Sequence, residues 1–311
     1  MHEIVVLSGK GGAGKTSVTT ALAAAMAKTE KLVLCDYDVD APDLHILLKP
    51  EETERHDFVS GFTARFNADR CIDCLQCLTF CRFDAISKPN DPEGDLYKVD
   101  ELHCEGCSVC VKLCPQEAFD WLPRHCGEYF AGKTRFGTFI HAQLAPGSEN
   151  SGRLITVLKR LAKDAARREG AGIILSDGTP GIGCPVISSL SGASLVCAVV
   201  EATQSGIADF ARLAELANHF RLSIAAIINK ADLSASATHA AEEAVRAAGG
   251  TVLGRLPYDP VFTKAMSQGL ALPELDPVWA ERFETLSRQL LELARAGRRN
   301  RKFIPIKETT K

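Results

Sequence analysis

Two runs of cysteines carry the most specific chemical pattern in the sequence. Each run has the spacing C-x₂-C-x₂-C-x₃-C, and the second is followed by proline. The first run contains Cys71, Cys74, Cys77 and Cys81, and the second contains Cys104, Cys107, Cys110 and Cys114. Three thiolates this close together can wrap an iron–sulfur cubane, whereas a zinc site needs only paired cysteines. The pattern therefore predicts two [4Fe–4S] clusters, with zinc as the alternative.

The spacing also predicts which cysteines share a cluster. In two-cluster modules of the bacterial ferredoxin type, the fourth cysteine of each run ligates the other cluster. One predicted ligand set is therefore Cys71, Cys74, Cys77 and Cys114, and the other is Cys104, Cys107, Cys110 and Cys81. Segment 69–120 contains 11 Asp and Glu residues against 5 Lys and Arg residues, so the module is acidic. The cysteines in apolar strands, Cys35 and Cys197, and Cys126 beyond the module are expected to be packing residues.

A glycine-rich loop near the start of the chain has the residue types and spacing of a phosphate-binding site. The stretch GKGGAGKT fits G-x₄-G-K-[ST] and lies between an apolar strand and an alanine-rich helix, the context that the motif requires. Inward-facing backbone N–H groups and a helix N-terminus attract phosphate oxygens. The predicted ATP-binding residues are Gly9, Lys10, Gly11, Gly12, Ala13, Gly14, Lys15, Thr16 and Ser17. Lys15 is expected to reach the β- and γ-phosphates, and Thr16 to hold Mg²⁺.

Carboxylates at the ends of two predicted strands could complete a magnesium–nucleotide site. Asp177 ends the strand GIILSD, and Asp36, Asp38 and Asp40 stand at the end of the strand KLVLCD. Because the carboxyl ends of parallel strands meet at one edge, we expect these groups to face the phosphate loop, where they could hold Mg²⁺ and orient water. A solvated acidic loop is the alternative for the three residues that end the second strand. Asn229 closes a later strand, where its amide could read the edge of the base.

Alternating strands and helices must position these groups. The pattern over residues 3–58 is strand, glycine loop, helix, strand and polar loop, and the alternation resumes near residue 136. Near-continuous runs of Val, Ile, Leu and Ala are typical of a parallel sheet covered on both faces. We predict a doubly wound, mostly parallel α/β domain over residues 1–59 and 123–296. A small inserted α+β ferredoxin-like domain is predicted at 60–122, and a basic tail at 297–311.

Length and composition exclude several classes of protein. The 311 residues are 46% hydrophobic, which suffices for a large core, and the net charge of −3 argues against a general nucleic-acid binder. No apolar run approaches the roughly 18–20 residues of a membrane span, and the first residues lack the features of a signal peptide. A cytoplasmic protein is therefore predicted. In that reducing compartment, twelve cysteines indicate metal ligation rather than disulfides.

Four stretches of sequence together resemble the MinD/ParA/Mrp family of P-loop ATPases. They are KGGAGKT, CDYDVDAPDL, LSDGTPGIGCPV and IINKAD, in this order. Chains of this family are often grouped in the CobQ/CobB/MinD/ParA nucleotide-binding class, and the nitrogenase iron protein is a more distant relative. The resemblance covers nearly all of the chain outside residues 60–122.

The resemblance implies roles for individual residues. Lys10 matches the lysine that reaches the partner's ATP phosphates across a dimer interface, which implies a homodimer or a heterodimer with a related ATPase. Asp38 matches the carboxylate that positions water, and Asp36 the switch carboxylate near Mg²⁺. Asp177 matches the Walker B residue, and Asn229 the contact to adenine. The implied catalytic residues are Lys10, Lys15 and Asp38.

Three functions combine a nucleotide switch with clusters. In the first, ATP-dependent dimerisation controls electron transfer through the two clusters to a redox partner protein. In the second, the chain is a carrier or assembly ATPase of Mrp type, with clusters as cargo. In the third, it positions components in cell division or partition, with the clusters sensing redox state. Membrane binding is not expected, and nucleic acid is not expected as a partner.

Overall fold

The computed structural model describes residues 1–88 and 96–296, and these residues fall into two compact units. The first comprises residues 1–55, 129–143 and the chain from 151 onward, and the second comprises 56–128 and 144–150. The predicted inserted domain, 60–122, falls inside the second unit. The predicted basic tail, 297–311, lies outside the described residues.

The secondary structure follows an α/β alternation in the first unit. In chain order, the strands are β1 (His2–Leu7), β2 (Leu32–Asp36), β3 (Glu51–Phe66), β4 (Ile86–Ser87), β5 (Lys98–Val99), β6 (Phe119–Thr134), β7 (Gly137–Leu144), β8 (Ile173–Asp177), β9 (Leu195–Glu201), β10 (Ser223–Asn229) and β11 (Thr251–Leu256). The α-helices are α1 (Lys15–Met26), α2 (Leu44–Leu48), α3 (Gln76–Phe80), α4 (Val109–Leu113), α5 (Ser151–Glu169), α6 (Cys184–Leu190), α7 (Gln204–His219), α8 (Ala235–Ala247), α9 (Val261–Gln268), α10 (Leu272–Leu275) and α11 (Pro277–Ala296). Among these helices, none has the length and apolarity to cross a membrane.

A nine-stranded sheet in the order β11-β10-β9-β1-β8-β2-β7-β6-β3 confirms the predicted fold class. The pairs from β11 to β7 are parallel. Every residue of β2 and β8 is buried, because the sheet is covered on both faces: β8 contacts both α1 and α5. The main core includes Ile4, Leu22 and Phe283. Register pairs Asp36 with Asp177, so the ends of β2 and β8 lie side by side.

Local sequence explains where the helices of the first unit begin. Thr203 caps α7 by accepting a hydrogen bond from the backbone N–H of Gly206 at 3.1 Å. Ser234 caps α8 in the same way, from the N–H of Ala237 at 3.2 Å. These two side-chain caps therefore mark the first residues of α7 and α8.

The polar loop predicted to follow β2 as far as residue 58 ends at residue 43, so the rest of that prediction is wrong. The chain instead forms the short helix α2 and then the 16-residue strand β3, which is the neighbour of the equally long β6. The sequence of β3, EETERHDFVSGFTARF, has no continuous apolar run, so its strand character depends on pairing with a segment more than 50 residues away.

The second unit is built from two copies of one motif. A constant offset of 33 residues separates Cys71 from Cys104, and helix α3 from helix α4. The same offset separates Leu75 from Ser108. The two cysteine loops have the same left-handed backbone conformation at these positions, with φ 63° at Leu75 and φ 64° at Ser108. A small core lies between the copies and includes Ile86, Tyr97 and Phe119.

Candidate functional site

The phosphate-binding loop lies between β1 and α1, as the motif requires. Helix α1 begins at Lys15 because Gly14 adopts the left-handed conformation, with φ 90°. A Cβ at Gly14 would lie 2.5 Å from Nδ2 of Asn229, so glycine is also needed for close approach. The loop therefore presents its backbone and the N-terminus of a 12-residue helix at the edge where the strands end.

Lys15, Thr16 and Asp177 form the centre of this site. The Nζ atom of Lys15 lies 2.8 Å from Oδ2 of Asp177, and the hydroxyl of Thr16 donates to the same oxygen at 2.7 Å. Thr19 donates to the other oxygen of Asp177 at 2.8 Å. Burial acts to lower the pKa of Lys15, but the surrounding carboxylates outweigh it and raise this pKa above its usual value. The buried ammonium makes an ion pair but no well-directed hydrogen bond with the described residues, so it fits an incoming phosphate oxygen.

Asp36 and Asp38 lie beside this centre and differ in burial. Asp36 is 1% exposed, and its two oxygens accept hydrogen bonds from the N–H groups of Asp38, at 2.9 Å, and Leu44, at 3.2 Å. Burial, reinforced by the charge of Asp177, raises the pKa of Asp36 well above its usual value. Asp38 is partly exposed and lies 3.9 Å from Nζ of Lys15. Burial raises the pKa of Asp38 to about 6, against the opposing effect of Lys15.

Tyr37 anchors the segment that carries these two carboxylates. Its side chain is fully buried, and its hydroxyl donates to Oε1 of Glu3 in β1 at 2.8 Å. Lys159 of α5 donates to the same oxygen at 2.6 Å and to the carbonyl of Ser189 in α6, also at 2.6 Å. The cation also lies 5.1 Å from the centroid of the Tyr37 ring. A buried polar network therefore fixes the residue between Asp36 and Asp38.

Lys10 pairs with a carboxylate of its own chain. Its Nζ atom lies 2.6 Å from Oε2 of Glu201 and donates to the hydroxyl of Ser205 at 3.1 Å. Glu201 also pairs with Lys230 at 2.9 Å. Burial acts to raise the pKa of Glu201, but the hydrogen bonds from both lysines hold it below its usual value. The two lysines and the carboxylate form a charged cluster beside the phosphate-binding loop.

Asn229 contacts the phosphate-binding loop directly. Its amide nitrogen donates to the carbonyl of Ala13 at 2.8 Å, and its side-chain oxygen accepts from the N–H of Lys230 at 3.0 Å. The predicted residue Ser17 lies on the first turn of α1 and donates to Sδ of Met266 at 3.0 Å. Every residue predicted for the nucleotide site from positions 9–17, 36–38, 177 and 229 therefore belongs to the first unit.

Sequence reasoning missed two residues of this site. Glu201 ends the apolar strand β9, and a terminal carboxylate there was the available signal, the same one that identified Asp177. Thr19 gave no signal in the motif, although one helical turn separates it from Lys15 and places it on the same side of α1.

The second unit brings the eight motif cysteines together in two cavities. Cys71, Cys74, Cys77 and Cys114 line the first cavity, and Cys110 lines it as well. Cys81, Cys104, Cys107 and Cys110 line the second. Each cavity thus contains one complete ligand set predicted from the spacing. Four thiols around a small cavity suit a cluster of iron and sulfide, since thiolates are the ligands that such clusters take.

Backbone geometry favours negatively charged sulfur in these loops. The N–H groups of Asp73 and Ala118 donate to the sulfurs of Cys71 and Cys114, each at 3.3 Å. Burial has the opposite effect at Cys110: reinforced by Cys104, it raises the pKa of this thiol to about 11 and favours the protonated form. These hydrogen bonds would stabilise a thiolate once a metal has displaced the proton.

The cysteines predicted to pack are buried. Cys35 and Cys197 are fully buried in β2 and β9, and Cys126 is 1% exposed in β6. The thiol of Cys126 donates to the carbonyl of Ser60 at 3.1 Å.

Comparison with protein families identifies the family of the chain. Residues 4–272 match the model of the CobQ/CobB/MinD/ParA nucleotide binding domain. An uncharacterized protein of Methanocaldococcus jannaschii is 34% identical over 228 residues, which cover 73% of this chain and 78% of that protein. The septum site-determining protein MinD of Pyrococcus horikoshii, solved with Mg-ADP, has a TM-score of 0.59 at 16% identity. The match covers 95% of this chain and 98% of that one, and it demonstrates a shared fold.

Two shorter matches are to an Fe-S cluster assembly factor homolog and to a subunit of pyruvate synthase. A cytosolic Fe-S cluster assembly factor homolog of Caenorhabditis elegans is 36% identical over 64 residues, 20% of each chain. The pyruvate synthase subunit PorD of Methanothermobacter marburgensis is 33% identical over 57 residues, which cover 18% of this chain and 62% of that subunit.

Proposed function

Because the chain belongs to the CobQ/CobB/MinD/ParA family of nucleotide-binding proteins, we propose that it is an ATP-hydrolysing iron–sulfur protein in which nucleotide-dependent dimerisation controls electron transfer through two [4Fe–4S] clusters. One observation carries the proposal. A single chain combines a phosphate-binding loop surrounded by carboxylates with two cavities, each of which contains one complete predicted set of four cysteines.

The residues of the first unit have separate tasks in ATP hydrolysis. Lys15 and the backbone of residues 9–16 bind the phosphates, while Thr16, Asp36 and Asp177 hold Mg²⁺, which neutralises phosphate charge when bound. Asp38 orients the attacking water. Its pKa of about 6 suits brief acceptance of a proton near neutral pH. Asn229 contacts adenine, in addition to supporting the loop.

Lys10 makes hydrolysis depend on a second chain. In the dimer it leaves Glu201 and reaches the phosphates bound by the partner, so that the electrostatic environment of the transferring phosphoryl group is complete only after association. The partner is a second copy of this chain or a related ATPase. ATP binding then favours the dimer, and hydrolysis releases it.

The second unit supplies the redox function. Cys71, Cys74, Cys77 and Cys114 hold one cluster, and Cys81, Cys104, Cys107 and Cys110 hold the other. Each cluster, when bound, can accept and release one electron. Two adjacent cavities in one small unit suit a relay for electrons better than a structural brace.

An anaerobic redox titration followed by EPR, with and without MgATP, tests the proposal. We expect iron in both cavities and a midpoint shift of at least about 30 mV, or ~0.7 kcal/mol per electron. The Asp38→Asn protein serves as control for the effect of ATP binding without hydrolysis, because it should bind ATP without turning it over. Zinc in place of iron, or identical midpoints with and without nucleotide, would contradict nucleotide control of electron transfer.

Cluster assembly is the second candidate function. The match to a cytosolic Fe-S cluster assembly factor homolog favours it. In that case the clusters are cargo, and transfer of iron and sulfide to an apo-ferredoxin should occur at a rate that depends on ATP. A protein that keeps its iron in the presence of excess apo-ferredoxin is not a carrier.

A further inference from the structure

The two cysteine loops share a backbone but differ at their surfaces. Ile72 and Leu75 in the first loop correspond, at the offset of 33 residues, to Glu105 and Ser108 in the second. Ile72 is 61% exposed and Leu75 is 48% exposed, whereas Ser108 is 8% exposed. The repeated backbone therefore does not require apolar residues at these positions, since the second copy holds polar ones.

The second loop is covered by its own chain. The indole N–H of Trp121 donates to the carbonyl of Gly106 at 3.3 Å, and the guanidinium of Arg124 donates to the carbonyl of Cys104 at 3.1 Å. A Cβ at Gly106 would lie 2.1 Å from the carbonyl oxygen of Phe62, so β3 passes directly against this loop. The ring of Phe62 stacks on that of Trp121 at 4.0 Å. Strands β3 and β6 thus close this side of the second motif.

The first loop is held in place but keeps its apolar side chains exposed. The hydroxyl of Tyr97 donates to Asp73 at 2.5 Å, and Lys88 donates to the same carboxylate at 2.7 Å. Leu75 nevertheless has a left-handed backbone, which is unfavourable for leucine, and gains little burial there. Neither local conformation nor core packing accounts for leucine at this position.

Four exposed apolar side chains surround the first cavity. This apolar rim consists of Ile72, Leu75, Phe80 and Leu113, and all four line the cavity that holds Cys71, Cys74, Cys77 and Cys114. Contiguous exposed apolar surface around a functional cavity is typical of a docking site. The rest of the module is acidic, with 11 Asp and Glu residues against 5 Lys and Arg residues in segment 69–120.

We propose that the apolar rim is the docking surface for a small electron-carrier protein whose contact face is basic, and that electrons enter or leave through the first cavity. This inference rests on the proposed electron-transfer function. The acidic module steers the basic face, and the rim excludes water where the two proteins meet. One electron passes between the cluster ligated by the first set of cysteines and the oxidised or reduced centre of the carrier, so that one is oxidised as the other is reduced.

Exchange of residues between the two loops tests the proposal. Ile72→Glu combined with Leu75→Ser installs the residues of the second loop, and Ser108 demonstrates that serine tolerates this backbone. Leu102→Ser is the matched control, because Leu102 is an exposed leucine of the same unit that does not line the first cavity. The probe is cytochrome c, a small basic haem protein. Binding is measured by calorimetry, and hydrogen exchange of residues 71–77 is compared with that of 104–110.

We expect the double variant to bind cytochrome c about tenfold more weakly, although it gains a negative charge, because the rim supplies the central apolar contact. Binding should protect the first loop and leave the second unchanged, and the control variant should bind as the wild type does. Tighter binding by the double variant would mean that charge alone recruits the carrier. That result would refute the proposal that the apolar rim is the docking surface. Slower hydrogen exchange in the second loop on binding would refute this proposal as well.

Electron transfer separates failure of the rim from failure of the proposed function. The reduced, iron-loaded protein should reduce both cytochrome c and the small acceptor benzyl viologen, and the double variant should be slow only with the protein acceptor. A double variant as fast as wild type with cytochrome c would refute the rim alone. A wild-type protein that reduces neither acceptor would refute the electron-transfer function. It would also refute the proposal that an electron carrier binds the apolar rim.

Discussion

Neutralising Glu201 should strengthen ATP-dependent dimerisation. In the single chain, the carboxylate of Glu201 holds Lys10 at 2.6 Å, with the two side chains 13% and 35% exposed. A partly exposed pair of this kind contributes about 1 kcal/mol. In the proposed dimer, Lys10 leaves this pair to reach the partner's phosphates, so each protomer would lose one such contact on association.

The magnitude follows from the symmetry of a homodimer. Two contacts are lost per dimer, so Glu201→Gln should favour association by about 2 kcal/mol, or roughly 30-fold in the dissociation constant. Sedimentation equilibrium with a non-hydrolysable ATP analogue measures this constant. Lys230 is expected to stay near the loop, because it also donates to the carbonyl of Gly12 at 3.4 Å.

Matched variants make this prediction specific. Glu284→Gln removes a pair of the same length, Lys28 to Glu284 at 2.6 Å, which has no connection with Lys10, and it should leave dimerisation unchanged. Lys10→Ala should abolish nucleotide-dependent association. If Glu201→Gln dimerises no more tightly than the wild type while Lys10→Ala still dimerises, the reasoning that Lys10 acts across the interface is refuted.

Three further predictions concern charge, pH and cysteine ligation. Asp177→Asn should remove Mg²⁺-dependent ATPase activity. It also removes the nearest partner of the buried Lys15 and leaves only Asp38 among the described residues, at 3.9 Å, so stability in urea should fall by about 3 kcal/mol. Equal stability would contradict the ion pair. Burial lowers the pKa of His141 to about 4. Below pH ~6.5 the unfolded chain therefore binds more protons at this residue than the folded chain does. The free energy of unfolding should fall by up to about 3 kcal/mol between pH 6.5 and 4. His141→Phe should flatten that slope in denaturation measured across this range. Cys74→Ser should remove at least half of the bound iron, whereas Cys126→Ser should remove none; equal iron contents would contradict the ligand sets.

The sequence predicted those parts of the fold and site that depend on local residue patterns. The loop before Lys15 follows from glycines at fixed positions, and the grouping of Cys114 with the first run follows from motif spacing. The burial of β2 and β8 follows from continuous apolar runs. Each of these signals lies within a short window of the chain.

Features that depend on distant partners could not be predicted. Strand β3 is polar and is specified by pairing with β6 rather than by its own apolar content. The contact of Lys10 with Glu201 joins residues 191 positions apart. The second cysteine loop is covered because Trp121 and Arg124 contact it. The two runs of cysteines have identical spacing, so the spacing gives no sign of this difference.

The buried contacts of Tyr37 have a consequence for the energetics of hydrolysis. Tyr37 is tied to Glu3 and through it to Lys159, while Val39 is also fully buried and the chain becomes exposed at Asp40. The main chain at Asp36 and Asp38 is therefore held by buried contacts in the structure without nucleotide. Dipoles and charges that are already oriented need little reorganisation when charge develops on the phosphoryl group. If these carboxylates act in hydrolysis as proposed, their fixed positions would lower the reorganisation energy of the reaction.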